Sequence, residues 1–308
     1  DWSLIDPGYG LPWGGVWTEP RHMPYGVRLS VHPPTLQPNP ILTSQHPWED
    51  VLVNAFCTLL QDDGVLRLFY EAYGKQAGGA LLDNSARLCY AESLDGRTWK
   101  RKMVGATEFG GSRENNIIYL SGIAETGGSG VTVFKDPSAP PEERYKLVHG
   151  ATLPNPGGWH RISVICGAVS PDGLHWKPIE QPLLRHPSDT QTVVQYDANA
   201  GVYRAFFRGL VPSHDEVGKD FKNNAIHGRR VVDQSVTKDF RNWPAPEPAM
   251  WPEPLDPPDW DIYNNSYVQW PGTTDAHLMF PSFFCRSKGP VEMHLITSRD
   301  GRKWSRIQ

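Results

Sequence analysis

The chain has 308 residues with 34 acidic and 30 basic side chains, a formal net charge of −4 and no basic run, which leaves no support for a nucleic-acid partner held by phosphate neutralisation. Its longest apolar runs, such as VLVNAFCTLL, fall far short of the roughly 20 residues of a membrane helix, and no charged-then-apolar signal segment opens it, so a soluble protein without a membrane partner is expected. With 29 Gly, 29 Pro and 12 Trp, the composition describes many short elements joined by turns, with bulky aromatics between layers.

Residues 1–47 read as an irregular, Pro-rich segment, including EPRHMPYGVRLSVHPPTLQPNP, that packs on or closes the domain formed by 48–308. From residue 48 onward, short apolar runs and period-2 alternation rich in Val, Ile, Tyr and Phe predict strands. They fall near 51–60, 65–73, 86–92, 116–120, 131–135, 145–151, 163–169, 192–196, 202–208, 230–236, 265–270, 276–284 and 292–298. Apolar residues almost nowhere recur with helical spacing over three turns, so the chain is expected to be all-β. The polar, strandless stretch 212–228 predicts a loop that rims a site. Cys57, Cys89, Cys166 and Cys285 form no C-x-x-C and sit in apolar settings, which predicts buried free thiols.

Four turns repeat. SLDGRTW (93–99), SPDGLHW (170–176), VTKDFRNW (236–243) and SRDGRKW (298–304) each place an acid four residues before a Trp, and the Trp residues are 77, 67 and 61 positions apart. Asp-Gly favours a hairpin turn, because Gly accepts positive φ and Asp bonds its own backbone. Asp95, Asp172, Asp239 and Asp300 are therefore read as turn formers, and Trp99, Trp176, Trp243 and Trp304 as wedges between sheets. Self-similarity at this period in an all-β chain predicts a β-propeller with four-stranded antiparallel blades.

Each repeat also opens on an acid: WEDVLVNAF (48–56), RENNIIYL (113–120), SDTQTVVQYD (188–197) and DWDIYNNSYVQW (259–270). The first strand of a propeller blade lines the central channel, so Glu49, Glu114, Asp189 and Asp261 are expected to converge at one mouth of it. Crowded carboxylates push one another's pKa values apart, which separates an acid from a base.

These turns and openers, together with FKDPSAPPEERYKLV and DTQTVVQYDANAGVYRAFFRG, resemble the five-bladed β-propeller glycoside hydrolases, the assembly of invertases, arabinanases and the family 32, 43 and 117 enzymes. The likeness spans about residues 48–308 and implies five blades, the last completed by residues 1–47, by sequence beyond Gln308, or by both. It also implies a base or nucleophile in the first blade (Glu49, or Asp50 beside it), a pKa-tuning acid in the second (Glu114) and a general acid in the third (Asp189), with Asp261 a fourth candidate. Trp48-Glu49-Asp50 stands where invertases carry Asn-Asp-Pro, so no particular sugar follows from the likeness.

For substrate contact, the aromatic faces of Trp48, Trp159, Trp260 and Tyr263 suit sugar C–H surfaces, and Arg113, His160 and Arg208 suit hydroxyl groups. No zinc spacing occurs and no cofactor is expected; a structural calcium is known in some enzymes of the resembled group. The expectation is a secreted or periplasmic glycosidase acting on plant or algal carbohydrate, with its oligomeric state open. Two alternatives remain: a sialidase-like enzyme, recognisable by three arginines and a Tyr–Glu pair around Tyr263, and a non-catalytic carbohydrate-binding propeller.

Overall fold

The computed structural model describes residues 35–74, 86–119, 129–156, 162–212, 228–253, 256–257 and 259–306. The chain divides into two units, Asp1–Pro40 and Ile41–Gln308. Of the first, residues 35–40 are described and form no strand or helix, so the expected packing of 1–47 lies largely outside the described residues. The second unit is almost wholly β; its described helix is confined to two three-residue 3-10 turns, Pro47–Glu49 and Pro141–Glu143. Among the described residues, no helix is long and apolar enough to cross a membrane.

The first sheet runs β1 (Leu52–Asp62), β2 (Val65–Tyr73), β3 (Arg87–Ser93) and β4 (Lys100–Arg101), with β5 (Ile117–Tyr119) also paired to β3. β1 and β2 join through Asp63 and Gly64, both at positive φ, the two-residue turn that matches strand twist. The second sheet is β6 (Ser129–Lys135), β7 (Tyr145–Leu153), β8 (Ile162–Ser170) and β9 (Lys177–Pro178). The third is β10 (Val193–Asp197), β11 (Val202–Pro212), β12 (Gly228–Thr237) and β13 (Glu247–Met250).

The fourth repeat contributes β14 (Trp260–Asn264), β15 (Tyr267–Gln269), β16 (His277–Met279), β17 (Ser282–Cys285), β18 (Val291–Met293), β19 (Ile296–Ser298) and β20 (Ser305–Arg306). They pair as two short sheets, β14-β17-β18 and β15-β16-β19-β20. The expected strands 276–284 and 292–298 are thus each broken in two. Pro281 has no N–H to give the ladder, and Ser266 turns the facing strand at φ 44.

One expected strand changes place. The sequence expects residues 116–120 to open the second blade, but β5 (Ile117–Tyr119) pairs antiparallel to β3 on the outer edge of the first sheet, and β6 is the inner strand of the second. β4, β9 and β20 are two residues long and carry no periodic signal.

The inner strands stand side by side, β1 by β6, β6 by β10 and β10 by β15, which gives the propeller-like arrangement. Four blades occur among the described residues, and the expected fifth is not among them. Apolar clusters fill the spaces between sheets: Phe69, Tyr90, Val133 and Leu147 between the first and second; Phe134, Val148, Val194 and Phe207 between the second and third; Phe206, Val232, Ile262 and Met279 between the third and fourth. Trp176, Trp243 and Trp304 pack on these clusters in turn, while Trp99 packs on a fourth cluster with Trp48 and Tyr70 on the other face of the first sheet.

The repeated turns share one geometry. In the first, Asp95 Oδ1 accepts from the N–H groups of Arg97 and Thr98 at 2.8 and 2.7 Å while Ser93 Oγ accepts from Gly96 N at 2.9 Å. Asp172 and Asp300 repeat it, and Asp239 keeps the Asp bond to Arg241 N at 2.9 Å with Thr237 in place of Ser.

A second repeat ties blade to blade at the ends of β1, β6 and β10. Asp62 bonds Arg67 (3.4 Å) on its own β2 and the Tyr145 hydroxyl of the next sheet. Asp136 bonds Lys146 (3.2 Å) on β7 and the Tyr203 hydroxyl (2.6 Å) of the next sheet. Asp197 bonds Arg204 (3.0 Å) on β11, and its charge acts on His277 of the fourth.

The second of these latches is the most buried, with Lys146 2% and Asp136 0% exposed at the side chain. Asp136→Ala leaves that ammonium without its carboxylate and is expected to cost about 3–5 kcal/mol. Urea unfolding followed by Trp fluorescence should show a lower midpoint at unchanged slope; a loss under about 1 kcal/mol would show the latch to be dispensable.

Candidate active site

The end of the second unit where β1, β6, β10 and β14 begin is built by backbone meeting backbone. Gly130 (φ +70) lies so close to the segment before β10 that a Cβ there would stand 2.3 Å from Thr190 O, and one at Gly150 would stand 2.6 Å from Ser188 O. No side chain fits at either position. Thr192 N then donates to Gly130 O at 3.1 Å, and Gln191 Nε2 reaches Val131 O and Cys57 O, each at 2.9 Å. The stretch 188–192, leading into β10, therefore lies against β6 and β1, and Asp189 stands on it.

Asp189 has a side chain 68% exposed and forms an ion pair with Arg208, whose side chain is 3% exposed. Arg208 also donates from Nη2 and Nε to Tyr263 O at 2.6 and 3.2 Å, and its guanidinium carbon lies 4.1 Å from the Tyr263 ring centroid. Tyr263, 36% exposed, adds an aromatic surface next to the carboxylate. Such a group of acid, guanidinium and ring can bind a sugar and act on a water or an anomeric carbon.

The other three opener acids sit differently. Glu49 precedes β1 but turns away from the second sheet, fully buried, with Tyr70 Oη at 2.6 Å, Arg101 Nε and Nη2 at 2.8 and 3.0 Å and Gln45 N at 3.0 Å. Burial pushes its carboxyl up, but these donors prevail and hold it below the ordinary value. Asp261 is fully buried on β14 between Arg230 and Arg286, with Arg230 N a further donor at 3.0 Å. Glu114 and Arg113 are exposed in the excursion between β4 and β5, on the outer edge of the first sheet and not at an inner-strand mouth. Of the four acids expected to converge, Asp189 is exposed, Asp261 is linked to it through Arg208, Tyr263 and Arg230, and Glu49 and Glu114 share no partner with either.

Among the aromatics, Trp48 is buried, donates from Nε1 to Asn116 Oδ1 at 2.8 Å and stacks on His46 at 4.5 Å, which is a packing role. Trp260 is half-buried against Phe283 and His294. Trp159 and His160 lie outside the described residues. For the sialidase alternative, Arg208 and Arg230 do flank the Tyr263 ring, at 4.1 and 5.3 Å, but each already pairs with an Asp. No Glu hydrogen-bonds the Tyr263 hydroxyl among the described residues, nor do three or more His, Cys, Asp or Glu gather there to hold a metal ion.

Two carboxyls escaped the sequence reading. Glu71, on β2, is fully buried near the inner strands: Val131 N donates to Oε1 at 2.8 Å and Asn54 Nδ2 to Oε2 at 3.1 Å. Burial pushes its carboxyl up to about 7, against the pull of those donors. Asp233, on β12, is also raised by burial, with His186 nearby opposing. Their one sequence signal is a lone acid within an otherwise strand-like run, RLFYEAY and RRVVDQSV.

No family model and no curated protein matches the chain. Solved structures do share its fold. A protein described as a glycoside hydrolase aligns at 12% identity over 81% of this chain and 72% of its own, with a TM-score of 0.53. An N-acetylgalactosamine deacetylase from F. plautii, in complex with blood group B trisaccharide, aligns at 14% over 88% and 73%, TM-score 0.52. A β-1,2-mannobiose phosphorylase from Listeria innocua aligns at 10% over 81% and 73%, TM-score 0.52. All three act on or bind carbohydrate by their descriptions.

The Glu71 shift fixes a pH dependence. Its folded value of about 7 lies above the unsupported value of 4.5, so the folded state keeps a proton that the unfolded state has released. Stability from this group is present below pH 4.5 and is lost as pH rises through about 7, by an amount on the order of 3 kcal/mol. Urea midpoints of wild type minus Glu71→Gln should fall across that window; a flat difference would show that Glu71 is ionised throughout.

Proposed function

We propose that this protein is a glycoside hydrolase of plant or algal oligo- or polysaccharides, working at the mouth of a propeller whose full ring has five blades. The observation that carries this is Asp189, an exposed carboxylate seated on a buried guanidinium beside an aromatic face. Asp189 acts as the ionised carboxylate, serving as base for water or as nucleophile. Glu71 holds its proton to about pH 7 behind Asn54 and supplies the general acid. Glu49 and Asp261, each locked among cationic donors, brace the blades, and Glu114 takes no part. Tyr263 and Arg208 position the sugar. The likeness to carbohydrate-active structures supports the substrate class, and such a substrate places the enzyme in a secreted or periplasmic setting.

A second reading, a carbohydrate-binding propeller without catalysis, is favoured by the ion pairs that neutralise Glu49 and Asp261. One screen separates the two. Wild type is offered plant and algal oligosaccharides with and without phosphate, because one fold neighbour is a phosphorylase. Asp189→Asn should lower turnover by at least about a hundredfold, and Glu71→Gln should lose more on poor leaving groups than on activated aryl glycosides. Glycan binding by wild type without turnover of any glycoside would establish the binding reading, and full activity of Asp189→Asn would remove Asp189 from the mechanism.

A further inference from the structure

β11 outruns its inner neighbour. β10 pairs with β11 only from Asp197↔Val202 to Val193↔Phe206, while β11 continues to Pro212. Beyond Phe206, the backbone groups on that edge have lost their strand partner, and a buried N–H or C=O has to find another.

At Arg208 one short stretch supplies all of them. His186 Nε2 lies 2.9 Å from Arg208 O, and since a carbonyl only accepts, that nitrogen carries the proton. Ser188 Oγ accepts from Arg208 N at 3.4 Å, and Asp189 takes the guanidinium. Residues 186–189 thus hold one residue by its carbonyl, its amide and its side chain.

His186 is itself held from behind. Its ring lies against Phe207 with centroids 5.2 Å apart, and Nε2 is 3.9 Å from Asp233 Oδ2. Asp233 reaches it by folding its carboxyl over Gly209: a Cβ at that glycine would stand 2.3–2.5 Å from the carboxyl atoms, so only glycine leaves the space. Arg208 O and Asp233 both face Nε2, which fixes the Nε2–H tautomer that the clamp needs.

We propose that His186 and Asp233 are a positioning pair: they pin residues 186–189 along the edge of β11 that β10 leaves unpaired and so fix the position of Asp189. The inference rests on Asp189 being the working carboxylate. The pair does not touch the sugar, and its effect is read through Asp189.

The test uses the full chain in three variants, His186→Ala, His186→Gln and Asp233→Asn, with hydrogen exchange of the amides of 188–192 beside kinetics on a glycoside that wild type cleaves. His186→Ala should speed that exchange by about tenfold or more and lower kcat with KM little changed. His186→Gln, whose amide N–H can reach the same carbonyl, should restore both. Asp233→Asn, which keeps the shape but not the charge, should lie between. Exchange in His186→Ala equal to wild type overturns the proposal. So does normal exchange in His186→Gln without recovery of kcat, which would put the imidazole itself on the substrate. If wild type cleaves no glycoside, the hydrolase reading falls while the exchange result still decides the clamp.

Discussion

The carboxylate that closes each of the first three inner strands is the interaction on which the rest of the propeller-like unit depends. Apolar contact between sheets is non-directional and would tolerate sliding of one blade on the next. Asp62, Asp136 and Asp197 remove that freedom, because each must meet a cation of its own sheet, and in the first two cases a tyrosine hydroxyl of the next as well. The cations extend the tie: Arg67 Nη1 donates to Asp172 O at 2.8 Å, Lys146 lies 5.2 Å from the Phe240 ring centroid, and a Cβ at Gly301 would touch Arg204. Each blade thus grips the Asp-Gly-type turn of its successor. The fourth repeat breaks the rule. Trp270 N donates to Ala276 O where Asp136 N donates to Arg144 O, so a half-exposed tryptophan stands in the acid's place and Leu278 in the cation's. Among the described residues, the fourth repeat therefore carries no acid–cation latch at the end of its inner strand.

Putting the charged latches at one end leaves the opposite end to be fixed by backbone contact. Gly130, Gly150 and the side chains of Gln191 and Thr132 hold the inner-strand starts together, and the buried Glu71 carboxyl accepts from Val131 N among them. At that end Asp189 stays exposed. Asp189 pairs with a single guanidinium, whereas Asp261 is enclosed by two and Glu49 by one that is bidentate and backed by a hydroxyl. A carboxylate with all its lone pairs satisfied by fixed donors gains little by accepting a proton or attacking carbon. One that is half in water can do either.

The blades were legible because their signals are local. A turn such as Ser93–Trp99 is made by residues within seven positions of one another, and strand alternation is read over similar distances. The site was less legible because its decisive contacts are remote. Nothing near Glu49 in the sequence announces Arg101, 52 residues on, and nothing near Asp261 announces that Arg230 and Arg286 will close over it. RENNIIYL misled for a related reason: alternation identifies a strand but not the sheet edge it joins, and β5 went to the outer edge of the first sheet.

Glu71 shows the converse case. A lone acid in an apolar strand is costly unless something offsets its desolvation, and the ordinary offset is a buried cation. None of the contacts that hold Glu71 is one: its partners are a backbone N–H, an amide and a hydroxyl, all neutral. Neutral donors stabilise the anion less than a guanidinium does, so burial prevails at Glu71 and loses at Glu49, though both side chains are fully buried. Burial alone therefore does not sort these carboxyls into acid and brace. The charge of their donors does, and that is decided by which strands the fold lays beside them.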